Sequence, residues 1–338
     1  MKWKIVSAKE FSDYKKEWDV VNTKSSDSIL LSSTYISESL KYFSSGKELL
    51  CICYDKDAPV AACIVHKTRF GIWETFQPSQ NPIGAWNHTD SIGLVQLGIS
   101  LLKDLPGLGL ILGITQQDPE LFKRPIDSWH IKTLDYIETA RITIRETFDV
   151  YWSRRGKNLR QNTNKHYNRL LKEDIKPEIR CISKTNDMST AITQYAELES
   201  LGWKFNSGTA VSINNNQGKF YLDLLKSFSE HNHARIYQYW YGDNLASTDL
   251  CIDDNNTLII LKTTYDEKIR KTSPANIMRK TYMEELFNTG TFNHIEFYGR
   301  VMKWHKQWTD ETRTMFHINI YSCSILGWIY SLISNLKK

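Results

Sequence analysis

The hydrophobic positions of this chain come in short runs whose period switches repeatedly between two residues and about 3.6. Trp3–Val6 reads as a strand. The polar stretch Ala8–Asn22, entered from a Ser7 cap, reads as a helix. Tyr35–Tyr42 predicts a second short helix. Leu49–Tyr54 and Pro59–His66 are strands joined by Asp55-Lys56-Asp57, a tight hairpin signal. Gln77–Gly84 is dense in turn formers and predicts a loop. Asp90–Lys103 places Ile92, Leu94, Val95, Leu97, Ile99, Leu101 and Leu102 in a helical run, and Leu108–Gly113 is a buried strand with almost no polar atoms.

The second half begins near Ile142. Tyr151–Glu173 predicts a long basic helix or a helix pair. Leu159, Thr163, Tyr167, Leu170 and Leu171 form its apolar stripe, and Arg154, Arg155, Lys157, Arg160, Lys165, Arg169 and Lys172 carry its charge. Met188–Gly202 is amphipathic, with Met188, Ile192, Tyr195 and Leu198 on one side, and Phe220–Glu230 is a further helix. Strands Ala234–Tyr241, Leu245–Ile252 and Thr257–Thr263 follow, separated by turns at Gly242-Asp243-Asn244 and Asp253–Asn256. Asn276–Asn288 is a helix stopped by Gly290, and His294–Tyr298 is a strand. The first half has a weaker version of the same order of elements, without a sequence repeat.

Composition narrows the class. A chain of 338 residues is long for one core and suits two domains. Hydrophobic and charged contents of 41% and 24% are those of an ordinary globular protein. A net charge of +5 permits an anionic ligand such as a nucleotide or coenzyme and does not point to DNA. The 11 Trp and 17 Tyr are expected mainly in core packing. Cysteines stand at 51, 53, 63, 181, 251 and 323. Cys51 and Cys53 share one face of a strand, which does not favour a bridge between them, and no zinc spacing occurs. All six read as reduced core residues of a cytoplasmic protein, and no metal is implied. No run is long enough for a signal peptide or a membrane span. The tail, Ile325–Tyr330 with Leu332-Ile333 and Lys337-Lys338, reads as an amphipathic helix. It is expected to dock on the protein's own core, with peripheral contact at the inner face of a membrane as the other reading.

Two segments carry the chemistry. Leu198-Glu199-Ser200-Leu201-Gly202-Trp203-Lys204 is a helix end closed by a Gly-Trp-Lys corner. Ser273-Pro274-Ala275 opens a helix after a buried strand. Pro274 suits the first helical turn. The N–H groups of Ala275, Asn276 and Ile277 would then point out of the helix end, where the dipole favours an anion, with Lys268, Arg270 and Lys271 close in sequence. A capped surface helix with exposed lysines fits the same residues. In this order the segments resemble the acyltransferases of the GNAT superfamily, in particular its cellulose-biosynthesis-type (BioF2-like) branch, relatives of the Fem peptidyltransferases. The resemblance covers most of the chain and is firm from about Tyr151 to Trp308. It implies that Arg270, Ser273, Ala275 and Asn276 hold the pyrophosphate of acetyl-CoA or another acyl-CoA. Ser-Pro-Ala replaces the branch's Ser-Pro-Gly, and the usual glycine-rich loop is absent.

Glu199 and Trp203 share a helix face, and the resemblance places them with Lys204 at the acceptor side, Glu199 as a base and Trp203 as a wall. Asp249 sits mid-strand, on the face opposite Leu250 and Ile252. It is either an exposed strand residue or the base that deprotonates an attacking amine. Tyr265 is a candidate acid for the leaving group. Gly299, Lys306 and Trp308 match the pattern of the branch after its last strand. Arg300 and Lys306 would meet phosphates of the acceptor, and Trp304 and Trp308 would stack on a sugar or base. A surface segment whose lysine stems cover apolar residues explains these residues as well.

The fold class expected is α/β, with two tandem GNAT-like domains of mixed sheets flanked by helices. Residues 1–142 form a degenerate first domain, 143–320 the acyltransferase domain and 321–338 the tail. The expected function is acyl transfer to an amino or hydroxyl group of a sugar-containing or lipid-linked acceptor in polysaccharide or cell-envelope biosynthesis. Attack on the donor is direct, since no Ser-His-Asp or Cys-His arrangement is evident. The alternatives are a Fem-like transferase using aminoacyl-tRNA and a non-catalytic binding module.

Overall fold

The computed structural model describes residues 2–201, 211–254 and 256–328. The chain forms two compact units, residues 1–138 with 313–338 and residues 139–312. The chain's last strand therefore groups with the first unit, not with the second as the sequence reading had it.

In chain order the elements are β1 (Lys2–Ser7), a 3-10 turn (Ala8–Tyr14) leading into α1 (Lys15–Lys24), α2 (Ser33–Phe43), β2 (Leu49–Asp55), β3 (Ala58–Arg69), β4 (Ile72–Thr75), β5 (Trp86–His88), α3 (Leu94–Asp104), β6 (Ile111–Gln117) and β7 (Ile131–Thr143). There follow α4 (Phe148–Ser153), α5 (Lys157–Lys172), β8 (Pro177–Ile182), α6 (Thr185–Ser200), α7 (Asn216–Ser229), β9 (Ala234–Tyr241), β10 (Asn244–Asp254), β11 (Thr257–Tyr265), α8 (Pro274–Thr289), β12 (His294–Glu296), α9 (His305–Trp308) and β13 (Thr312–Tyr321).

The two units repeat one topology. In the first, β1, β2, β3 and β4 are successively antiparallel and β4 runs parallel to β6. In the second, β8, β9, β10 and β11 are successively antiparallel and β11 runs parallel to β12. A helix, α3 or α8, precedes each parallel strand, as a parallel connection requires. The first unit adds β13, paired antiparallel with β6; the second adds the end of β7, paired antiparallel with β12.

Local chemistry explains the elements that the pattern predicted. Lys56 and Asp57 both have positive φ, the backbone that a two-residue hairpin turn needs between β2 and β3. The Ser7 hydroxyl accepts from the Lys9 N–H. The long basic segment breaks into α4 and α5. Gly290 ends α8 with φ 62°. Cys51, Cys53, Cys63 and Cys251 are buried, whereas Cys181 and Cys323 are exposed, against the expectation that all six pack in cores. Residues 324–328 of the tail are helical; 329–338 lie outside the described residues. Among the described residues, no helix is long and apolar enough to cross a membrane.

In the second unit, helices cover both faces of the sheet. Tyr237, Tyr239 and Tyr241 of β9 pack with Ile277 and Tyr282 of α8. Gln238, between them, points the other way and hydrogen-bonds Gln194 of α6 at 2.8 Å.

Candidate active site

The site begins where β11 outruns its neighbour. β11 spans Thr257–Tyr265 but pairs with β12 only at Thr257–Ile259. Among the described residues that edge has no strand partner from Ile260 onward, and a cavity of about 360 Å3 lies against its end. Thr263 and Tyr265 of β11, Arg270 of the 3-10 turn Glu267–Thr272, Ser273, Ala275 and Asn276 at the start of α8, Arg279 within α8, Glu199 of α6 and Trp304 all line it. Six residues expected from the sequence, Glu199, Tyr265, Arg270, Ser273, Ala275 and Asn276, thus meet in one place.

Ser273 enters α8 in the left-handed conformation, φ 51° and ψ 52°. That backbone costs a non-glycine residue roughly 1–2 kcal/mol and is common for glycine. Ser273 therefore takes the backbone shape of a glycine where the glycine-rich sequence is missing. Pro274 follows at the first helical position, as expected. The expectation of three outward N–H groups needs correction. Asn276 and Ile277 both donate to the Ser273 carbonyl, at 3.0 and 3.2 Å. Among the described residues only Ala275 keeps an open N–H there, because the turn is tightened on Ser273.

Glu199 is 1% exposed. One turn back on α6, Tyr195 donates its hydroxyl to Oε1 at 3.0 Å, and the Val211 N–H donates to Oε2 at 2.6 Å. Burial, followed by the Glu199 charge, pushes the Tyr195 hydroxyl well above its usual range, so Tyr195 stays a protonated donor.

Asp249 is neither an exposed strand residue nor a base facing the cavity. It is fully buried and bound by Arg279, with Nε to Oδ2 at 3.2 Å and Nη2 to Oδ1 at 3.3 Å. Tyr282 adds its hydroxyl at 3.0 Å. Its strand alternates as predicted, but β10 lies between β9 and β11 with α8 over the Asp249 face, so the face holds no solvent. Arg279 also donates to Thr263 Oγ1. Burial alone would lower the Arg279 pKa; the adjacent Asp249 more than offsets this and raises it.

The Trp304 ring lies 4.3 Å from the Arg279 guanidinium and packs on His305, with ring centroids 3.7 Å apart, and on Phe297 at 5.6 Å. His305 accepts the Met302 N–H at Nδ1, 2.8 Å. Burial first, and then the Arg279 charge, lower its pKa from 6.5 to about 4, so it is a neutral packing residue near neutral pH.

Of the remaining acceptor-side candidates, those among the described residues, Trp304 apart, do not gather at the cavity. Trp203 and Lys204 lie outside the described residues. Arg300 and Lys306 are exposed and do not line the cavity. Trp308 is fully buried: its ring packs on Trp152 at 5.6 Å, and its carbonyl accepts the Tyr151 hydroxyl at 2.5 Å. It is a core residue with no face for a sugar. Trp304, expected with Trp308 as a stacking residue, does line the cavity, whereas Arg279 and Thr263 were missed. The one signal in the sequence for Arg279 is its place four residues after Ala275, on the same helix face. Among the described residues no cluster of His, Cys, Asp or Glu could hold a metal ion.

Comparison with known proteins fits this architecture. Residues 157–306 match the model of the acetyltransferase (GNAT) domain, a span that contains every residue of the cavity. Comparison with curated proteins gives no match. Among solved structures, the chain is similar to FemX, with a TM-score of 0.56 at 10% identity over 98% of this chain and 100% of the other. It is similar to the C-terminal domain (DUF2156) of a lysylphosphatidylglycerol synthetase candidate from Agrobacterium fabrum, TM-score 0.57 at 8% identity over 96% of each chain. A conserved protein of unknown function from Bacteroides thetaiotaomicron VPI-5482 scores 0.56 at 9% identity, over 95% of this chain and 99% of that one. At such identities these likenesses describe the fold.

Proposed function

We propose that this chain, an acyltransferase of the GNAT type, moves an acyl group from a coenzyme A thioester to an amine inside the cavity of its second unit. The observation that carries the reading is the convergence of a buried carboxylate, Glu199, with the open N–H of Ala275 and the Arg270 guanidinium along the free edge of β11. Ala275 and Arg270 suit the donor pyrophosphate. The open strand edge offers backbone groups to the amides of an extended donor arm. Glu199 suits the attacking group: it accepts a proton from the acceptor ammonium, directly or through a water. The amine nitrogen then bonds to the thioester carbon, the C–S bond breaks, and the second proton of the amine passes to the departing thiolate, with Tyr265 as the group at hand to relay it.

Acetyl-CoA is the donor we favour. A sugar-containing acceptor in envelope or polysaccharide assembly is the acceptor class we propose, and it rests on the sequence resemblance, since Trp308 is packed in the core. We read the first unit as non-catalytic. Its β4 has only four residues, three of them paired with β6, so it has no counterpart of the long free edge of β11.

Calorimetric titration with acetyl-CoA tests the donor site. Micromolar binding is expected, with Ala275→Asp weakening it at least thirtyfold because a carboxylate would meet the pyrophosphate. Folded protein that shows no binding would remove coenzyme A and turn attention to aminoacyl-tRNA, whose binding is strongly salt-dependent.

A further inference from the structure

Arg279 has two donors that the fold does not use. A guanidinium carries five N–H groups. Nε and Nη2 are committed to Asp249 and Thr263. Nη1 makes no hydrogen bond or ion pair among the described residues, although the side chain is only 4% exposed and lines the cavity. Nη1 is not among the polar atoms sealed from solvent, so its N–H groups are open to the cavity that Arg279 lines. Holding the sheet to α8 does not need them, because that task is complete with Nε and Nη2.

Asp249 neutralises the guanidinium, so Nη1 presents oriented N–H donors with little net charge. Such a group suits a neutral oxygen that becomes negative during reaction better than an oxygen already charged, because Asp249 stands directly behind. The position selects which oxygen. Arg279 lies one turn along α8 from Ala275, and its partner Thr263 lies on the free edge of β11. It therefore approaches from the α8 face, which the donor occupies, whereas Glu199 comes from α6 on the opposite face of the sheet. Three hydrogen bonds and the Trp304 ring hold the guanidinium rigid.

We infer that Arg279 is a catalytic residue whose Nη1 donates to the thioester carbonyl oxygen and stabilises the oxyanion formed on attack. This rests on reading the cavity as the acyl-transfer cleft. As the amine adds to the carbonyl carbon, the carbonyl π pair moves to oxygen, where Nη1 meets it. Collapse re-forms the C=O bond and expels the thiolate. A donor already in place needs no reorganisation at that moment. Asp249 is the positioning residue that aims it.

The test uses acetonyl-CoA, in which a ketone replaces the thioester, labelled with carbon-13 at the carbonyl. Infrared spectroscopy of the bound ligand reads hydrogen bonding at that oxygen directly. On the wild-type protein the stretch is expected to shift to lower frequency relative to free ligand. The shift should be lost in Arg279→Lys and in the charge-balanced pair Asp249→Asn with Arg279→Gln. In parallel, Arg279→Lys should lower kcat for acetyl-CoA roughly a hundredfold while its Kd moves less than fivefold. A bound carbonyl at the free frequency in the wild type would overturn this inference alone and needs no variant to fold. So would a kcat within threefold of wild type in folded Arg279→Lys. Absence of ligand binding to wild type would overturn the donor site itself and this role with it.

Discussion

Asp249 and Arg279 face each other across the interior of the second unit in a two-point ion pair, Nε to Oδ2 at 3.2 Å and Nη2 to Oδ1 at 3.3 Å, with both side chains almost out of solvent. The pair links β10 to α8 and fixes the wall against which a donor would lie. It also separates the two carboxylates that the sequence offered as bases. Asp249 is spent on Arg279, and Glu199 is the one that lines the cavity.

Removing the charge of Asp249 should therefore act on stability as well as on activity. Asp249→Asn leaves a buried guanidinium without its counter-charge and is expected to cost about 3 kcal/mol. Adding Arg279→Gln should restore part of that loss, because the interior then holds no unmatched charge. Chemical denaturation of the three proteins measures this. Equal stability of the single variant and wild type would mean that the pair is not buried as described.

Glu199→Gln removes the base and keeps the shape of the side chain. The turnover number with acetyl-CoA and an amine acceptor is expected to fall roughly a hundredfold to a thousandfold, within the usual range for general-base loss. Donor affinity should stay close to wild type, because Glu199 approaches from the acceptor side. Turnover within threefold of wild type would dismiss Glu199 as the base.

His305 gives a pH signature. Its pKa is about 4 in the folded protein and 6.5 as a free group. Between these values the unfolded chain binds a proton that the folded chain does not, so this contribution is intact above pH 6.5 and is lost as pH falls toward 4. Its size is on the order of 2 kcal/mol. His305→Gln should flatten the dependence of the unfolding midpoint on pH across that window. An unchanged slope in the variant would assign the dependence to other groups.

Ser273 tests the entry to α8. Ser273→Gly should leave stability within about 1 kcal/mol of wild type, since glycine accepts a φ of 51° without strain. Ser273→Val should cost more than about 1 kcal/mol and weaken acetyl-CoA binding, because a branched side chain resists that backbone. Comparable midpoints for the two variants would show that the helix start relaxes freely.

Much of this protein is determined locally and is readable from its residues. The turn at Lys56-Asp57, the start of α8 at Pro274 and its stop at Gly290 depend on backbone preferences of single residues. Apolar periodicity alone sets α6, α7 and the strands β9 to β11, because a face that must leave water repeats at the period of its element. Most of the cavity's wall at the start of α8 was legible for the same reason: Ser273, Ala275 and Asn276 are neighbours in sequence at one helix start.

The rest depends on partners far away along the chain. β4, β5, β7, β8 and β13 have weak or polar patterns. β8 is an edge strand that starts at Pro177, half exposed, and β13 is held by β6, as in Asn319 opposite Gly113. Asp249 and Trp308 carry no local mark of burial. One is enclosed by a helix that starts 25 positions later, the other by Tyr151 and Trp152. Arg279 reads in sequence as one cation on an ordinary helix. Tertiary packing alone placed it out of water with two donors unspent, because desolvation and pairing are properties of what surrounds a side chain and not of its neighbours in sequence.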